Sequence, residues 1–383
     1  MKRVLILGGG VGGLSLANWV RRGLPAEDDV LLVDRAPQHE FRPVLLGVAV
    51  GAVASERARR DWTPLASRGI RLLRGNVERI VPDARSAVID GRTWEADILV
   101  VSLGAARDTS AIPGLSEGGL DFYDATSAAA LGSRLAGLER GTLLITIPAG
   151  PLPAALAPYE FAFVADHQLR GRGVRRDVRI RILSGPSEPL AVAGPETTAA
   201  VAHWCEERDI SWAGGVQVER VDPLARLVRL GDGREEAYDL LVGLAPPIAP
   251  QPVRTSPLAG PDGWIDVDPL SCATAWEGVY ALGDATRIRV SGGFTLPKAG
   301  VFAHGQAQAL ARTIIHELTA RGAPGRYDGE GETFVEMGAG LAAVVCGHYY
   351  SQPHPRVLVM HPTPQWRAAR MAVTENWWRN YLS

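Results

Sequence analysis

Lys2-Arg-Val-Leu-Ile-Leu-Gly-Gly-Gly-Val-Gly-Gly-Leu14 is the stretch whose reading decides the fold. Val4 to Leu7 is a run of aliphatic residues, short enough for a fully buried parallel strand. It breaks at once into glycines, and Gly8, Gly10 and Gly13 satisfy G-x-G-x-x-G. Gly8 allows the tight turn, Gly10 lets a pyrophosphate approach the main chain, and Gly13 lets helix and strand pack closely. Val11 and Gly12 fill the same loop, and Leu14 to Val20 reads as the helix whose N-terminal amides face the phosphates. A second strand, Val30-Leu-Leu-Val-Asp34, follows. Asp34 lies about 20 residues on, where a carboxylate takes ribose hydroxyls. Strand, glycine turn, helix, strand and acid in this order predict an α/β dinucleotide-binding unit.

The chain has 383 residues, enough for two or three domains at roughly 100–200 residues each. Apolar residues make up 46 % and charged residues 21 %, as in ordinary globular proteins. A formal net charge of −2 gives no reason to expect a nucleic-acid partner. Cys205, Cys272 and Cys346 are too few and too scattered for a disulfide framework, and no C-x-x-C occurs. Lys2-Arg3 before an apolar run resembles the start of a signal peptide, but the run stops at Leu7 and the glycines fit cofactor binding better. A cytoplasmic protein is therefore expected. The longest apolar run elsewhere, Val44 to Ala54, falls short of the about 20 residues a membrane span needs.

Beyond Asp34, Arg35 and Arg42 offer cations near the pyrophosphate, or are simply solvated. Ile70 to Ile80 reads as a strand bent at Gly75. Ser86 to Glu95 reads as a hairpin around Asp90-Gly91, a strong turn dipeptide. Ala96 to Ala105 is a closing strand that ends at Gly104. Later comes a parallel arrangement: a hairpin from Ala225 to Glu236 turning at Gly231-Asp-Gly233, then a closing strand in Tyr238 to Pro247. The pattern predicts an internal duplication of α/β unit, meander and closing strand. The second copy opens with Gly141-Thr-Leu-Leu-Ile-Thr-Ile147 but runs into Pro148-Ala-Gly-Pro-Leu-Pro153, and proline has no N–H to offer a phosphate. Its next strand, Val178 to Leu183, ends in Ser184-Gly-Pro186 with no carboxylate for a ribose. Both halves of a nicotinamide-dinucleotide fingerprint are missing there. Val279 to Leu282 reads as a buried strand that carries Gly283-Asp284 at its carboxyl end, where open α/β sheets bind ligands. Pro297 is read as the first turn of a helix running to about Arg321. Strands around Phe334–Met337, Ala343–Cys346 and Val357–Met360 and a helix from Trp366 to Leu382 close the chain.

With these pieces the chain resembles the two-dinucleotide-domain flavoproteins of the pyridine nucleotide-disulfide oxidoreductase superfamily. The nearest branch is that of the sulfide:quinone oxidoreductases and the flavoprotein of flavocytochrome c sulfide dehydrogenase, with type II NADH dehydrogenases further off. The carriers are Gly8 to Gly13, Asp34, Ala96 to Ala105, Pro246-Pro247, Tyr280-Ala-Leu-Gly-Asp284, Pro297-Lys-Ala-Gly300 and Tyr327-Asp-Gly-Glu-Gly331. The resemblance implies an α/β fold of two Rossmann-like domains. One, the FAD domain, is built from residues 1–108 and 246–325; 109–245 form a substrate-side domain and 326–383 a small C-terminal region. It also implies FAD, with the pyrophosphate at Gly8, Gly10, Val11, Gly12 and Gly13, the adenosine ribose at Asp34 and the adenine at the Val77 main chain. Gly104, Gly283 and Asp284 would line the cofactor, and Lys298 and Ala299 would lie at the isoalloxazine. No cysteine stands near residue 42 or in 104–130, so a thioether-linked flavin is not expected.

The departures from the branch carry as much information. Its sulfide oxidisers use two cysteines; here alanines occupy the first place, within Pro151-Leu-Pro-Ala-Ala-Leu-Ala-Pro-Tyr-Glu160, and Thr333 the second. Neither residue type replaces a thiolate nucleophile. Cys346 comes about a dozen residues too late and reads as a buried strand cysteine. Glu160 is a candidate acid or base at the flavin, or a favourable charge at a helix start. Lys298 is a candidate partner of reduced flavin, or a helix-surface lysine. His304 reads as a packing residue, and His348, His354 and His361 lack metal-ligand spacing. The tail with Trp377, Trp378 and Arg379 suits a peripheral membrane contact at the inner face, a helix roofing the flavin, or a homodimer contact. Three functions follow: an FAD-dependent oxidoreductase passing two electrons from a small reduced donor, such as a sulfur species, to a quinone or haem-protein (cytochrome) acceptor; an NAD(P)H:acceptor oxidoreductase; or a flavin-holding subunit or redox sensor without catalysis.

Overall fold

The computed structural model describes residues Met1–Ser383. In chain order the first unit is β1 (Arg3–Leu7), α1 (Val11–Gly23), β2 (Asp29–Asp34) and β3 (Arg71–Arg74), then a meander of β4 (Val77–Val81), β5 (Ser86–Ile89) and β6 (Arg92–Glu95), and β7 (Ile98–Val101). After α2 (Ala125–Ala136) the second unit repeats the plan: β8 (Gly141–Ile147), α3 (Ala157–Gly171), β9 (Val178–Ser184), α4 (Pro195–Glu206), β10 (Ile210–Gly214), a meander of β11 (Val218–Asp222), β12 (Leu227–Leu230) and β13 (Glu235–Ala237), and β14 (Leu240–Gly243). There follow β15 (Val279–Ala281), α5 (Gly300–Thr319), an antiparallel sheet of β16 (Glu330–Gly338), β17 (Leu341–His348) and β18 (Arg356–Thr363), and α6 (Pro364–Tyr381).

The first parallel sheet has the order β15-β7-β1-β2-β3 and the second the order β10-β9-β8-β14. Read from the outer strand inward, both run third, second, first, closing strand, so the duplication read from the sequence is present in the topology. Every residue from Val4 to Leu7 is fully buried, as a central parallel strand covered on both faces requires. A short antiparallel pairing of Ala106-Arg107 with Pro247-Ile248 ties the two passages of chain between the units.

Two readings are corrected and a third is narrowed. Ile70–Ile80 is not one bent strand: β3 lies in the parallel sheet and β4 in the meander. The switch occurs at Gly75 and Asn76, where the Gly75 amide donates to the Asp34 carbonyl and the Asn76 amide to the Asp90 carboxylate. A side chain at Gly75 would meet Ile89 at 2.6 Å. The helix expected from Pro297 begins at Gly300 instead. Residues before it are held extended, since the Leu296 amide donates to the Ile288 carbonyl and the Lys298 carbonyl accepts from the Ala154 amide. Finally, the tail tryptophans face inward: Trp377 and Trp378 are buried against the first unit. Phe41 stacks on Trp377 at 4.7 Å, and the Tyr381 hydroxyl lies 2.8 Å from His304 Nε2, which makes His304 the packing residue its sequence context implies. No helix is long and apolar enough to cross a membrane.

Candidate dinucleotide and redox site

The glycine loop is a cradle from which side chains are excluded by its own neighbours. A Cβ at Gly8, whose φ is +101°, would lie 2.4 Å from the Ser102 carbonyl oxygen, and one at Gly13 would lie 1.9 Å from the Gly8 oxygen. A Cβ at Gly12 would strike Leu282 at 2.2 Å. Gly10 differs: nothing lies within 4 Å of its Cβ position, so that side of the loop is open. Gly10 is also the N-cap of α1, with no side-chain cap and no acidic residue in the first turn. The helix α5 begins beside it in the same way, uncapped and without an acid, and Gly300 packs on Val11. Two uncapped helix N-termini converging on an open glycine fit an anion, here a pyrophosphate. The residues therefore fit FAD at this end.

Asp34 ends β2 beside the loop, and its carboxylate accepts from the Gly9 amide at 2.8 Å and the Ala36 amide at 2.8 Å. Val77 opens β4, buried, and Gly104 follows β7 with a φ of +70° and open space around it. Arg42 is exposed, yet its charge reaches Asp284 and Tyr123. Arg35 is exposed and is not brought to these groups.

At the other end, Gly283, Asp284, Pro297, Lys298, Ala299 and Phe302 line one cavity. The Gly283 amide donates to Gln306 Oε1 at 2.7 Å. Lys298 is neither a helix-surface residue nor a free cation. Its ammonium donates to the Asp284 carbonyl at 2.6 Å and the Thr286 carbonyl at 3.0 Å, and sits 3.5 Å from the centroid of the Trp264 ring. Burial pushes its pKa down to about 8, against the pull of Asp284 and Asp262. Asp284 is raised by burial, opposed by Lys298 and Arg42. Lys298 thus clamps the Gly283–Thr286 loop and brings positive charge beneath it.

The proline turn closes on the same segment. Ala154, in the left-handed region at φ +52°, donates its amide to the Lys298 carbonyl at 2.7 Å, and the Tyr123 hydroxyl donates to the Pro153 carbonyl at 2.7 Å. Thr333 pairs with Val345 on β17, and Gly331, two residues earlier, packs against Phe302. Glu160 is buried in the first turn of α3, which lies along β16. Its Oε1 lies 2.6 Å from Arg370 Nη1, which also pairs with Glu336 at 3.0 Å. Burial pushes Glu160 up to about 6, and Arg370 limits the rise. The carboxylate's nearest charged partner is therefore on α6 and not Lys298.

The three cysteines are free and protonated by their surroundings: burial pushes Cys205 and Cys272 up to about 12 and raises Cys346. Cys346 stands on a strand as expected but is half-buried rather than buried; it lies on β17 between Glu332 and Leu358 on its neighbouring strands. Side chains that sequence reasoning passed over are Trp264, Tyr123 and Arg370. Each acts on a partner far along the chain, and no local pattern marks them.

The family model described as pyridine nucleotide-disulphide oxidoreductase matches residues 2–309. The mitochondrial sulfide:quinone oxidoreductase of Mus musculus is 25 % identical over 339 residues, covering 85 % of this chain and 73 % of that protein. A type II NADH:quinone oxidoreductase of Mycobacterium tuberculosis is 28 % identical over 253 residues, covering 60 % of this chain and 54 % of its own. The crystal structure of the sulfide:quinone oxidoreductase from Aquifex aeolicus superposes with a TM-score of 0.89 at 21 % identity, over 100 % of this chain and 92 % of that one.

Proposed function

The chain belongs to the pyridine nucleotide-disulphide oxidoreductase family, in its sulfide:quinone oxidoreductase-like branch, and is an FAD-dependent oxidoreductase; from this premise we propose that it passes two electrons from a small reduced donor to a quinone. The observation that carries the donor half is the second unit's crevice. The turn after β8, where a nicotinamide nucleotide's pyrophosphate would need main-chain amides, runs Pro148-Ala-Gly-Pro-Leu-Pro153. Prolines 148, 151 and 153 offer no N–H there. The acceptor half rests on the relatives, whose names include quinone reductases of both the sulfide and NADH kinds. A haem protein remains the alternative acceptor.

FAD, when bound, supplies a two-electron store that reacts with donor and acceptor in turn. We assign residues 1–108 and 246–325 to the unit that holds it. Gly8 to Gly13 and the N-terminus of α1 would hold the pyrophosphate, Asp34 the ribose and the Val77 main chain the adenine. Gly283, Asp284 and Ala299 would line the ribityl and ring positions. Lys298 would keep that loop in place and favour negative charge above it. No persulfide relay is assigned, because Ala154, Ala155 and Thr333 stand in the thiol positions and no cysteine has a lowered pKa. A peripheral membrane contact in this region would run through Leu358, Met360, Met371 and Val373, which face outward, and not through the tryptophans.

Glu160 is the group we assign to proton movement. A carboxyl with a value about 6 exchanges protons at the operating pH. Because Arg370 pulls that value down, Arg370→Met should shift the corresponding inflection in the rate of anaerobic flavin reduction to higher pH. An unmoved inflection removes Glu160 from the mechanism. The folded value lies above the unfolded 4.5, so this carboxyl's contribution to stability is full below about pH 4.5 and is lost as pH rises through about 6.

Rapid anaerobic mixing tests the donor. Sulfide or a low-molecular-weight thiol should bleach the oxidised flavin band, and a short-chain quinone should restore it. NADH should bleach it no faster than buffer. Bleaching by NADH within the mixing time would replace this reading with that of an NADH:quinone oxidoreductase, and indifference to every donor would favour the non-catalytic one.

A further inference from the structure

We propose that His39 and Trp377 are positioning residues for the dinucleotide loop, so that the C-terminal helix α6 sets how tightly FAD is held. The inference rests on the glycine loop holding the pyrophosphate.

The loop turns on two peptide planes. The Gly8–Gly9 plane is fixed from both edges: the Gly8 carbonyl accepts from Ser102 Oγ at 2.8 Å, and the Gly9 amide donates to Asp34 at 2.8 Å. The Gly9–Gly10 plane joins two glycines and has little intrinsic stiffness. One side chain holds it. His39 Nδ1 lies 3.1 Å from the Gly9 carbonyl oxygen. A trans peptide directs its C=O and N–H to opposite sides, so a held Gly9 carbonyl aims the Gly10 N–H away from His39.

Trp377 holds the other edge of the His39 ring. Its indole Nε1 lies 3.1 Å from His39 Nε2. An indole N–H only donates, so Nε2 must accept, and the single proton of the neutral ring must sit on Nδ1. That is the tautomer able to donate to Gly9. Burial keeps the ring neutral, with its pKa pushed down to about 4. His39 is 2 % exposed and lies between Trp377, stacked at 5.7 Å, and Trp62 at 5.4 Å, so no water replaces Trp377 without opening the cluster. Remove the indole N–H, and His39 Nε2 is left a buried acceptor with no donor. The Gly9 carbonyl still holds the proton on Nδ1, but the ring now gains by tilting Nε2 toward another donor, and that loosens its hold on Gly9. A residue on the last helix of the chain thereby fixes a peptide plane in its first loop.

The test is FAD titration into full-length apoprotein, read by flavin fluorescence. Trp377→Phe should raise Kd about fivefold, the worth of one buried hydrogen bond, and His39→Leu at least as much. His39→Asn, whose side-chain N–H reaches as far as Nδ1, should recover most of the loss. Tyr381→Phe removes another docking contact of α6, to His304, and should leave Kd within about twofold even where it lowers the melting temperature. Nitrogen-15 NMR of the imidazole should place the proton on Nδ1 in the wild type. Equal Kd for wild type and Trp377→Phe overturns the proposal, as does a wild-type ring protonated on Nε2. If Trp377→Phe does not fold, the comparison of His39→Leu with His39→Asn decides, and equal affinities reject the wiring. Failure of wild-type apoprotein to take up FAD would sink the cofactor reading itself and is a separate result.

Discussion

Gly10→Val protein should purify colourless yet melt at the temperature of wild-type apoprotein. The position has an extended main chain, φ −68° and ψ −168°, which valine adopts without strain, and nothing in the protein lies within 4 Å of the new Cβ. The added carbons therefore meet only what binds there. Forcing them into a close contact with a pyrophosphate should weaken FAD on the order of 100-fold, the upper end of the ~3 kcal/mol that overpacking costs. Gly13→Val gives the contrast. Its Cβ would lie 1.9 Å from the Gly8 oxygen and 2.4 Å from Ser102 Oγ, both parts of the strand–helix junction. That variant should lose FAD and stability together, because β1, α1 and β7 must move apart. Flavin absorbance per chain and apoprotein melting curves read the two effects separately. A yellow, fully loaded Gly10→Val protein would show that the dinucleotide does not lie on this loop.

The contrast also shows which parts of the molecule could be read from sequence. The glycine cradle was legible because its parts are neighbours along the chain: a buried run, a turn that needs φ above zero, a helix without a cap. The duplication was legible for the same reason, since Asp90-Gly91 and Gly231-Asp-Gly233 mark equivalent hairpins. Lys298 was not. As a flavin partner or a surface lysine it was assigned by its motif, whereas its three interactions go to Asp284, Thr286 and Trp264 and depend on how the loop folds back. The start of α5 was misplaced because the Lys298 carbonyl is taken by Ala154, more than a hundred residues earlier. The tail leaves a membrane contact, a docked helix and a dimer contact open in the sequence. Tryptophan with arginine suits a membrane surface by composition, but composition does not say which face is covered, and Phe41, His39 and Arg60 cover it. Glu160 keeps its place at a helix start, yet its chemistry is set by Arg370 on α6, a pairing no spacing rule contains.

Asp166→Ala should be the most damaging single change outside the cofactor site. Asp166 lies on α3 six residues after Glu160 and is almost wholly buried, with its carboxylate 2.5 Å from Arg175 Nε. The same guanidinium donates to the carbonyls of Val178 at 2.8 Å, Arg208 at 2.7 Å and Asp209 at 2.8 Å. One side chain thus joins α3 to the start of β9 and to the turn before β10. Removing the carboxylate leaves a buried cation facing only carbonyls, and breaking a buried pair in this way costs about 3–5 kcal/mol. Arg175→Met should cost a similar amount, since it strands the carboxylate and three carbonyls instead. Arg170 also pairs with Asp166, at 2.8 Å, but its side chain is half exposed, so Arg170→Ala should cost no more than about 1 kcal/mol. Urea unfolding midpoints should fall far for Asp166→Ala and Arg175→Met and little for Arg170→Ala. FAD content should survive in whatever fraction remains folded, because the pair lies in the second unit, away from the glycine loop. A midpoint for Asp166→Ala indistinguishable from that of Arg170→Ala would mean that Arg175 is held by its carbonyls alone, and that α3 keeps Glu160 in place by packing rather than by charge.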